Sequence, residues 1–166
     1  MKMANTTLAV LVVALAALLG APAASAEERS CRGTLGPITV DNLRVPQGAT
    51  CTLNGTKVKG TIKVQRKATL NATNVRVVGN IQAENHKHVT VTGSRIGGSI
   101  QIVQGRSSTV TGNKVTADIQ YFENRGAIVI RGNRVNGNLQ CKENKPRPTG
   151  SGNRVGGNKE DQCRGL

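Results

Sequence analysis

Residues 79–83 read Gly-Asn-Ile-Gln-Ala, residues 98–102 read Gly-Ser-Ile-Gln-Ile, and residues 137–141 read Gly-Asn-Leu-Gln-Cys. The apolar–polar–apolar triplet within them occurs five times, and its first residues follow at intervals of 19, 19, 19 and 20: Ile62, Ile81, Ile100, Ile119 and Leu139. Alternation with a period of two indicates a half-buried β-strand. The glycine or alanine two residues before each triplet is typical of a corner, where the chain tolerates little side-chain bulk.

Two further apolar columns accompany the triplet. One column follows a threonine or valine in each unit and contains Leu53, Leu70, Val91, Val110 and Ile130. The other precedes the next triplet by four residues and contains Val58, Ile96, Val115, Val135 and Val155. In this alignment the segment 75–78 carries about two extra residues. Three short strands in a unit of 19 or 20 residues, with small residues at the corners, predict a solenoid.

We therefore predict an all-β chain, a single-stranded parallel β-helix of about six coils of 19–20 residues over residues 38–163. One coil cannot bury its own inward side chains, so successive coils stack about 4.8 Å apart and close a narrow aliphatic core. The period alone does not fix the handedness of the solenoid. The drift from 19 to 20 residues and the variable loops at 84–88, 104–107 and 123–127 favour the right-handed form.

The four cysteines fall into two pairs near the ends of the repeat. Cys31 and Cys51 are 20 residues apart, and Cys141 and Cys163 are 22 apart, each close to the length of one coil. Stacked coils would place each pair side by side, whereas the other pairings would span several coils. We expect disulfides 31–51 and 141–163, each contributing roughly 3 kcal/mol on the chain-entropy model. No cysteine or histidine spacing typical of a metal site is present.

The first residues have the pattern of a secretory signal peptide. Lys2 is followed by an apolar run over residues 8–19, and the small residues at 24–26 fit a cleavage site. The run is shorter than the ~18 apolar residues that a membrane anchor needs. We therefore expect residues 1–26 to be removed and residues 27–166 to form one secreted domain without a transmembrane segment.

Basic residues recur immediately before the third apolar column. The chain has 23 Lys and Arg against 9 Asp and Glu, a net charge of +14. The recurring positions are Lys57, Arg95, Lys114, Arg134 and Arg154, to which Arg131 and other basic residues add positive charge. Stacked coils would align them as a ladder of positive charge. This pattern favours docking to a linear polyanion, such as an anionic cell-wall polymer or membrane surface, and its alternative is a charge that serves solubility alone.

Other patterns support weaker hypotheses. Nucleic-acid binding is disfavoured because Tyr121 and Phe122 are the only side chains on which bases can stack. Glycoside hydrolysis by a polysaccharide-acting enzyme needs two converging carboxylates, and the candidates are the loop acids Glu84, Glu123 and Glu143. The favoured interpretation is that these acids are ordinary solvent-exposed charges in loops. His86 and His88 would point to the same side of a strand and could meet one metal ion, but no third ligand lies nearby except Glu84. We expect no catalysis, no metal ion and no cofactor.

Two outward columns complete the pattern. Thr52, Thr69, Thr90, Thr109 and Thr149 form a threonine column similar to ice-binding faces, but asparagine, valine and arginine interrupt it, so ordinary strand preference is the favoured explanation. The triplet glutamines, beginning at Gln82, are expected to hydrogen-bond along the coil axis.

The alternative to a protein that docks on a polyanion is a structural extracellular module that assembles end to end.

The C-terminal part of the chain resembles a known group of proteins. The relevant segments are Asn136-Gly-Asn-Leu-Gln-Cys-Lys-Glu-Asn144, Gly152-Asn-Arg-Val-Gly-Gly-Asn-Lys-Glu-Asp-Gln-Cys163 and the preceding apolar-Gln-apolar triplets. They are similar to those of small secreted right-handed parallel β-helix proteins of actinobacteria. The resemblance implies a fold and an export route, and it implies no reaction.

Overall fold

A computed structural model describes residues 27–166 of the chain; the predicted signal peptide, residues 1–26, lies outside the described residues. The described part consists of 21 short strands joined by turns and bends. In chain order they are β1 Glu28–Ser30, β2 Gly33–Leu35, β3 Thr39–Val40, β4 Asn42–Val45, β5 Thr50–Asn54, β6 Lys57–Val58, β7 Ile62–Val64, β8 Thr69–Thr73, β9 Arg76–Val77, β10 Ile81–Glu84, β11 His88–Thr92, β12 Arg95–Ile96, β13 Ile100–Val103, β14 Ser107–Thr111, β15 Lys114–Val115, β16 Ile119–Phe122, β17 Ile128–Arg131, β18 Arg134–Val135, β19 Leu139–Lys142, β20 Arg154–Val155 and β21 Lys159–Asp161.

The strands form three parallel sheets that run the length of a solenoid. The first sheet has the order β1-β4-β7-β10-β13-β16-β19-β21, the second β2-β5-β8-β11-β14-β17, and the third β3-β6-β9-β12-β15-β18-β20. Every named strand pairing is parallel, and up to β19 the chain passes through the three sheets in turn. The predicted single-stranded parallel β-helix is therefore confirmed. It has about seven coils because a further coil begins at Glu28, before the predicted start of the repeat.

The predicted triplets stack in register. Ile81 pairs with Ile62 on one side and Ile100 on the other, and Ile119 pairs with Leu139. These side chains are completely buried in one continuous core of valine, isoleucine, leucine and alanine. Tyr121 is the one aromatic residue within that core among residues 27–166. A narrow core of this kind explains why the sequence is so poor in aromatic side chains.

The second apolar column was predicted with one error of register. Ala72, and not Leu70, pairs with Leu53 and Val91, while Leu70 pairs with Cys51 in a neighbouring inward column. The error arose because Asn74 occupies the corner position that glycine holds in most other coils, with φ of 53°. Asparagine tolerates this left-handed conformation better than most residues. The segment 75–78 therefore carries no extra residues.

Both predicted disulfides are confirmed. Cys31 is bonded to Cys51 with their Cα atoms 5.5 Å apart, and Cys141 is bonded to Cys163 with their Cα atoms 5.2 Å apart. Each bond links neighbouring coils close to one end of the solenoid, where a terminal coil lacks a partner on one side. Near the C-terminus the loop 145–152 replaces a strand of the second sheet and retains a single bridge, between Val129 and Thr149.

Stacked amides fix the register of the coils. The predicted glutamine column is confirmed, with side-chain bonds of 3.0, 3.0 and 2.7 Å that join Gln82, Gln101, Gln120 and Gln140 in sequence. A second ladder is buried: Asn113 donates to Asn133, and Asn133 donates to Asn153, each at 3.0 Å. This ladder was not predicted, although a Gly-Asn pair recurs at 112–113, 132–133 and 152–153.

Candidate functional site

The third sheet carries one basic side chain per coil over six successive coils. Its strands are only two residues long, and the six that follow β3 each contain a basic outward residue and then a valine or isoleucine. That apolar residue is buried in five of the six strands and half-buried in β20, at Val155. The outward residues are direct register partners from coil to coil and are all exposed. We call this row the basic ladder, and it consists of Lys57, Arg76, Arg95, Lys114, Arg134 and Arg154.

The basic ladder contains five of the six predicted residues and one that was missed. Arg76 was overlooked because the register error at Asn74 displaced this coil, although 76 lies 19 residues from both 57 and 95. Arg131 lies elsewhere, on β17 of the second sheet, where it pairs with Thr111. Arg131 is therefore a separate positive charge and not a rung of the ladder.

Most of the residues that flank the ladder on its two sides are small, and the exception is Lys59 beside the first rung. The corner row two residues earlier consists of Gly55, Asn74, Gly93, Gly112, Gly132 and Gly152. The row two residues later consists of Lys59, Val78, Gly97, Thr116, Asn136 and Gly156. A shallow groove beside Arg76, Arg95 and Lys114 is lined by Val78 and Thr116. The long basic side chains therefore stand above a shallow surface, and this surface leaves room beside them for an elongated ligand.

Acidic residues are segregated from the ladder. Every acidic residue that lies on a strand belongs to the first sheet: Glu28, Glu84, Glu160 and Asp161. The remaining acids lie before β1 or at the two corners that adjoin the first sheet: Glu27, Asp41, Asp118, Glu123 and Glu143. The second and third sheets thus carry no acidic side chain on any strand.

The ladder has no salt-bridge partner within residues 27–166. The ion pairs in this part of the chain join Arg44 to Glu28, Lys59 to Asp41 and Lys142 to Glu143. Lys59 hydrogen-bonds to Asp41 and, with its charge, holds the pKa of that carboxyl below its usual value. Two unit charges one coil apart repel by roughly 1 kcal/mol in water. The ladder is therefore a row of uncompensated positive charge.

The carboxylates considered for catalysis do not form an aligned set. Glu84 pairs in register with Val103, so it is one residue out of line with Glu123 and Glu143. Those two share a corner position, where both backbones have positive φ. The interpretation of all three as loop acids is therefore wrong for Glu84, which is the last residue of β10.

The two histidines lie on opposite sides of the coil wall. His88 points outward from β11, with its ring nitrogens 2.7 Å from the Ser107 hydroxyl and 2.9 Å from the Thr90 hydroxyl. His86 precedes that strand at the inner corner, is 1% exposed and packs over the backbone of Gly105. Its ring nitrogens have no hydrogen-bond partner, and burial lowers its pKa to about 4. No group of three metal-ligating side chains occurs among residues 27–166.

The outer face of the second sheet carries the threonine columns, with one change from the prediction. Thr69 pairs with Thr50 and His88, so Asn71 takes its expected place beside Thr52 and Thr90. A further hydroxyl column consists of Thr73, Thr92 and Thr111. The sequence places Thr92 and Thr111 in Thr-x-Thr motifs beside the first column, and the structure adds Thr73 to them. This column ends in Arg131 and lies next to the corner row that borders the basic ladder.

Comparisons with known proteins leave the fold and the site as the basis for a functional argument. No protein family, curated protein or solved structure matches the chain. Within residues 27–166, no helix is long and apolar enough to cross a bilayer.

Proposed function

We propose that this chain is a secreted, non-catalytic β-helix that docks on an anionic polymer or surface of the cell envelope through its basic ladder. The observation that carries the proposal is the row of six exposed basic residues, one per coil, on a sheet whose strands bear no acid. A linear polyanion would relieve the repulsion within this row and release its own counterions on binding.

The expected salt dependence follows from the number of rungs. Each phosphate or carboxylate contact with a single-stranded polyanion adds about 0.7 to the slope of log K against log salt. Six contacts would therefore weaken binding on the order of 300-fold between 50 and 200 mM salt. Docking of this strength is reversible and suits a protein held at a charged surface.

Export of the chain is supported by its covalent structure. Both disulfides join buried cysteines, and disulfides persist in oxidising compartments outside the cytosol. No free cysteine remains among the described residues. The predicted signal peptide and the two disulfides therefore both support a location outside the cytosol, where a polymer of the cell envelope would be accessible to the protein.

A structural or self-assembling role is the second candidate. At the N-terminal end β1, β2 and β3 are terminal strands of their sheets, and all three residues of β1 are exposed. Unpaired strand edges are templates for pairing with another chain. Light scattering separates the two candidates, because docking through the ladder requires no assembly, whereas the structural role predicts dimers or filaments whose size is insensitive to salt.

Heparin chromatography with matched variants tests the proposal. The ladder variant carries Lys57→Gln, Arg95→Gln, Lys114→Gln and Arg134→Gln. The control variant carries Lys63→Gln, Arg66→Gln, Lys87→Gln and Arg106→Gln, which remove the same charge from exposed positions outside the ladder. We expect the wild-type protein and the control to be retained at about 0.15 M salt, where charges further apart than ~8 Å are largely screened, and the ladder variant to elute early. Equal retention of both variants, or elution of the wild type in the void volume, would contradict the proposal.

A further inference from the structure

We propose that the ligand of the basic ladder is a single extended polysaccharide chain with one carboxylate per sugar unit, bound parallel to the coil axis over a footprint of six charges. This inference rests on the proposed function and adds the orientation, the length and the chemical class of the ligand.

The orientation follows from the register of the third sheet. Consecutive rungs are direct partners in parallel strand pairs, so their Cα atoms form a row along the coil axis. With a strand spacing of about 4.8 Å, the five intervals from Lys57 to Arg154 span roughly 24 Å. A ligand that uses all the rungs must therefore be extended along that axis.

The length of the site is set by where the row starts and stops. Thr39 on β3 occupies the position before Lys57 and carries no charge. Arg154 lies on β20, the last strand of the third sheet. The ladder thus has two defined ends, and a chain longer than six charges gains no further rung.

The residues around the ladder fit a chain of sugars. Apart from Lys59 beside the first rung, the flanking rows leave space on both sides of the charges. The hydroxyl column Thr73, Thr92 and Thr111 stands three residues before the central rungs. Hydroxyl groups of a sugar chain can exchange hydrogen bonds with such a column. Four of the six rungs are arginines, whose planar guanidinium groups bind carboxylates, as they bind phosphates, through two parallel hydrogen bonds.

Other polyanions fit this row less well. A nucleic-acid duplex winds its phosphates around an axis at ~3.4 Å per nucleotide of one strand, so a straight row meets only a few of them. A single strand of nucleic acid gains much of its affinity from stacking on aromatic side chains, and the strands of the third sheet contain none. An anionic bilayer is favoured by aromatic and leucine side chains on the docking face, whereas the exposed large apolar residues near the ladder are Val78 and, next to Lys57, Ile38.

Oligogalacturonates of two to ten units, titrated calorimetrically into the protein at low salt, test the inference. We expect the dissociation constant to fall with each added unit up to six units and then to level off. The variant Lys57→Gln with Arg154→Gln lacks the two end rungs, and its dissociation constant should stop falling at four units. For the control variant Lys63→Gln with Arg66→Gln, the dissociation constant should keep falling up to six units, as for the wild-type protein.

The outcomes separate this inference from the proposed function. If long polygalacturonate or heparin binds through the ladder but affinity does not depend on length beyond two units, the footprint is wrong and the proposed function stands. A duplex DNA, an anionic vesicle or a polyol-phosphate chain that binds more tightly than hexagalacturonate at equal charge would overturn the assigned class. If no polyanion binds, both proposals fail.

Discussion

Buried His86 should make the stability of the protein depend on pH between 7 and 5. The folded core holds the ring in its neutral form, and burial lowers its pKa from an ordinary 6.5 to about 4. As the pH falls, the unfolded chain binds the proton first, so stability that is present above pH ~6.5 is lost progressively toward pH ~4. For these two values, linkage gives a loss of about 2 kcal/mol between pH 7 and pH 5.

Urea unfolding at the two pH values measures this loss. His86→Leu removes the titrating ring and should abolish the difference, whatever its effect on stability at pH 7. His88→Gln is the matched control, because His88 lies on the outer face with hydroxyl partners for both nitrogens, and it should retain the wild-type dependence. The reasoning is refuted if His86→Leu loses as much stability as the wild-type protein on going to pH 5.

Two further predictions concern the devices that hold the coils in register. Asn133→Ala should lower the free energy of unfolding by about 2–4 kcal/mol, because it leaves the buried donors of Asn113 without an acceptor. The control Asn136→Ala, at an exposed position, should lower it by less than about 0.5 kcal/mol in the same denaturation assay. An equal effect of both substitutions would count against the buried ladder. Replacing Cys31 and Cys51 by serine should cost roughly 3 kcal/mol, and the same change at Cys141 and Cys163 should cost a similar amount, measured by calorimetric unfolding. No change in unfolding temperature for either pair of substitutions would show that the disulfides do not stabilise the ends of the solenoid.

The fold was predictable because one unit of the sequence nearly repeats the next. The triplet that begins at Ile81 reappears with constant spacing, and in a stacked solenoid constant spacing becomes register. The same spacing predicted both disulfides and the glutamine column. The handedness of the solenoid, the signal peptide and the resemblance to actinobacterial β-helix proteins stay predictions.

The errors have local physical causes. Asn74 adopts the left-handed backbone that glycine adopts in most other coils. Because no glycine marks this corner in the sequence, the coil was aligned out of register and Arg76 was not recognised as the partner of Arg95. His86 sits inward because it lies at a corner before β11, where strand alternation does not apply. The buried asparagine ladder had a visible signal in its repeated Gly-Asn pairs. Burial of an amide was not expected from residue type alone, since asparagine is usually exposed.

The most direct test of the account is the salt dependence of polyanion binding by the wild-type protein and the two charge-matched variants. If the rungs act together, the slope of log K against log salt should be about −4 for the wild-type protein and the control variant, and about −1.4 for the variant that keeps two rungs. Equal slopes for the two variants would show that net charge, and not the row on the third sheet, determines binding.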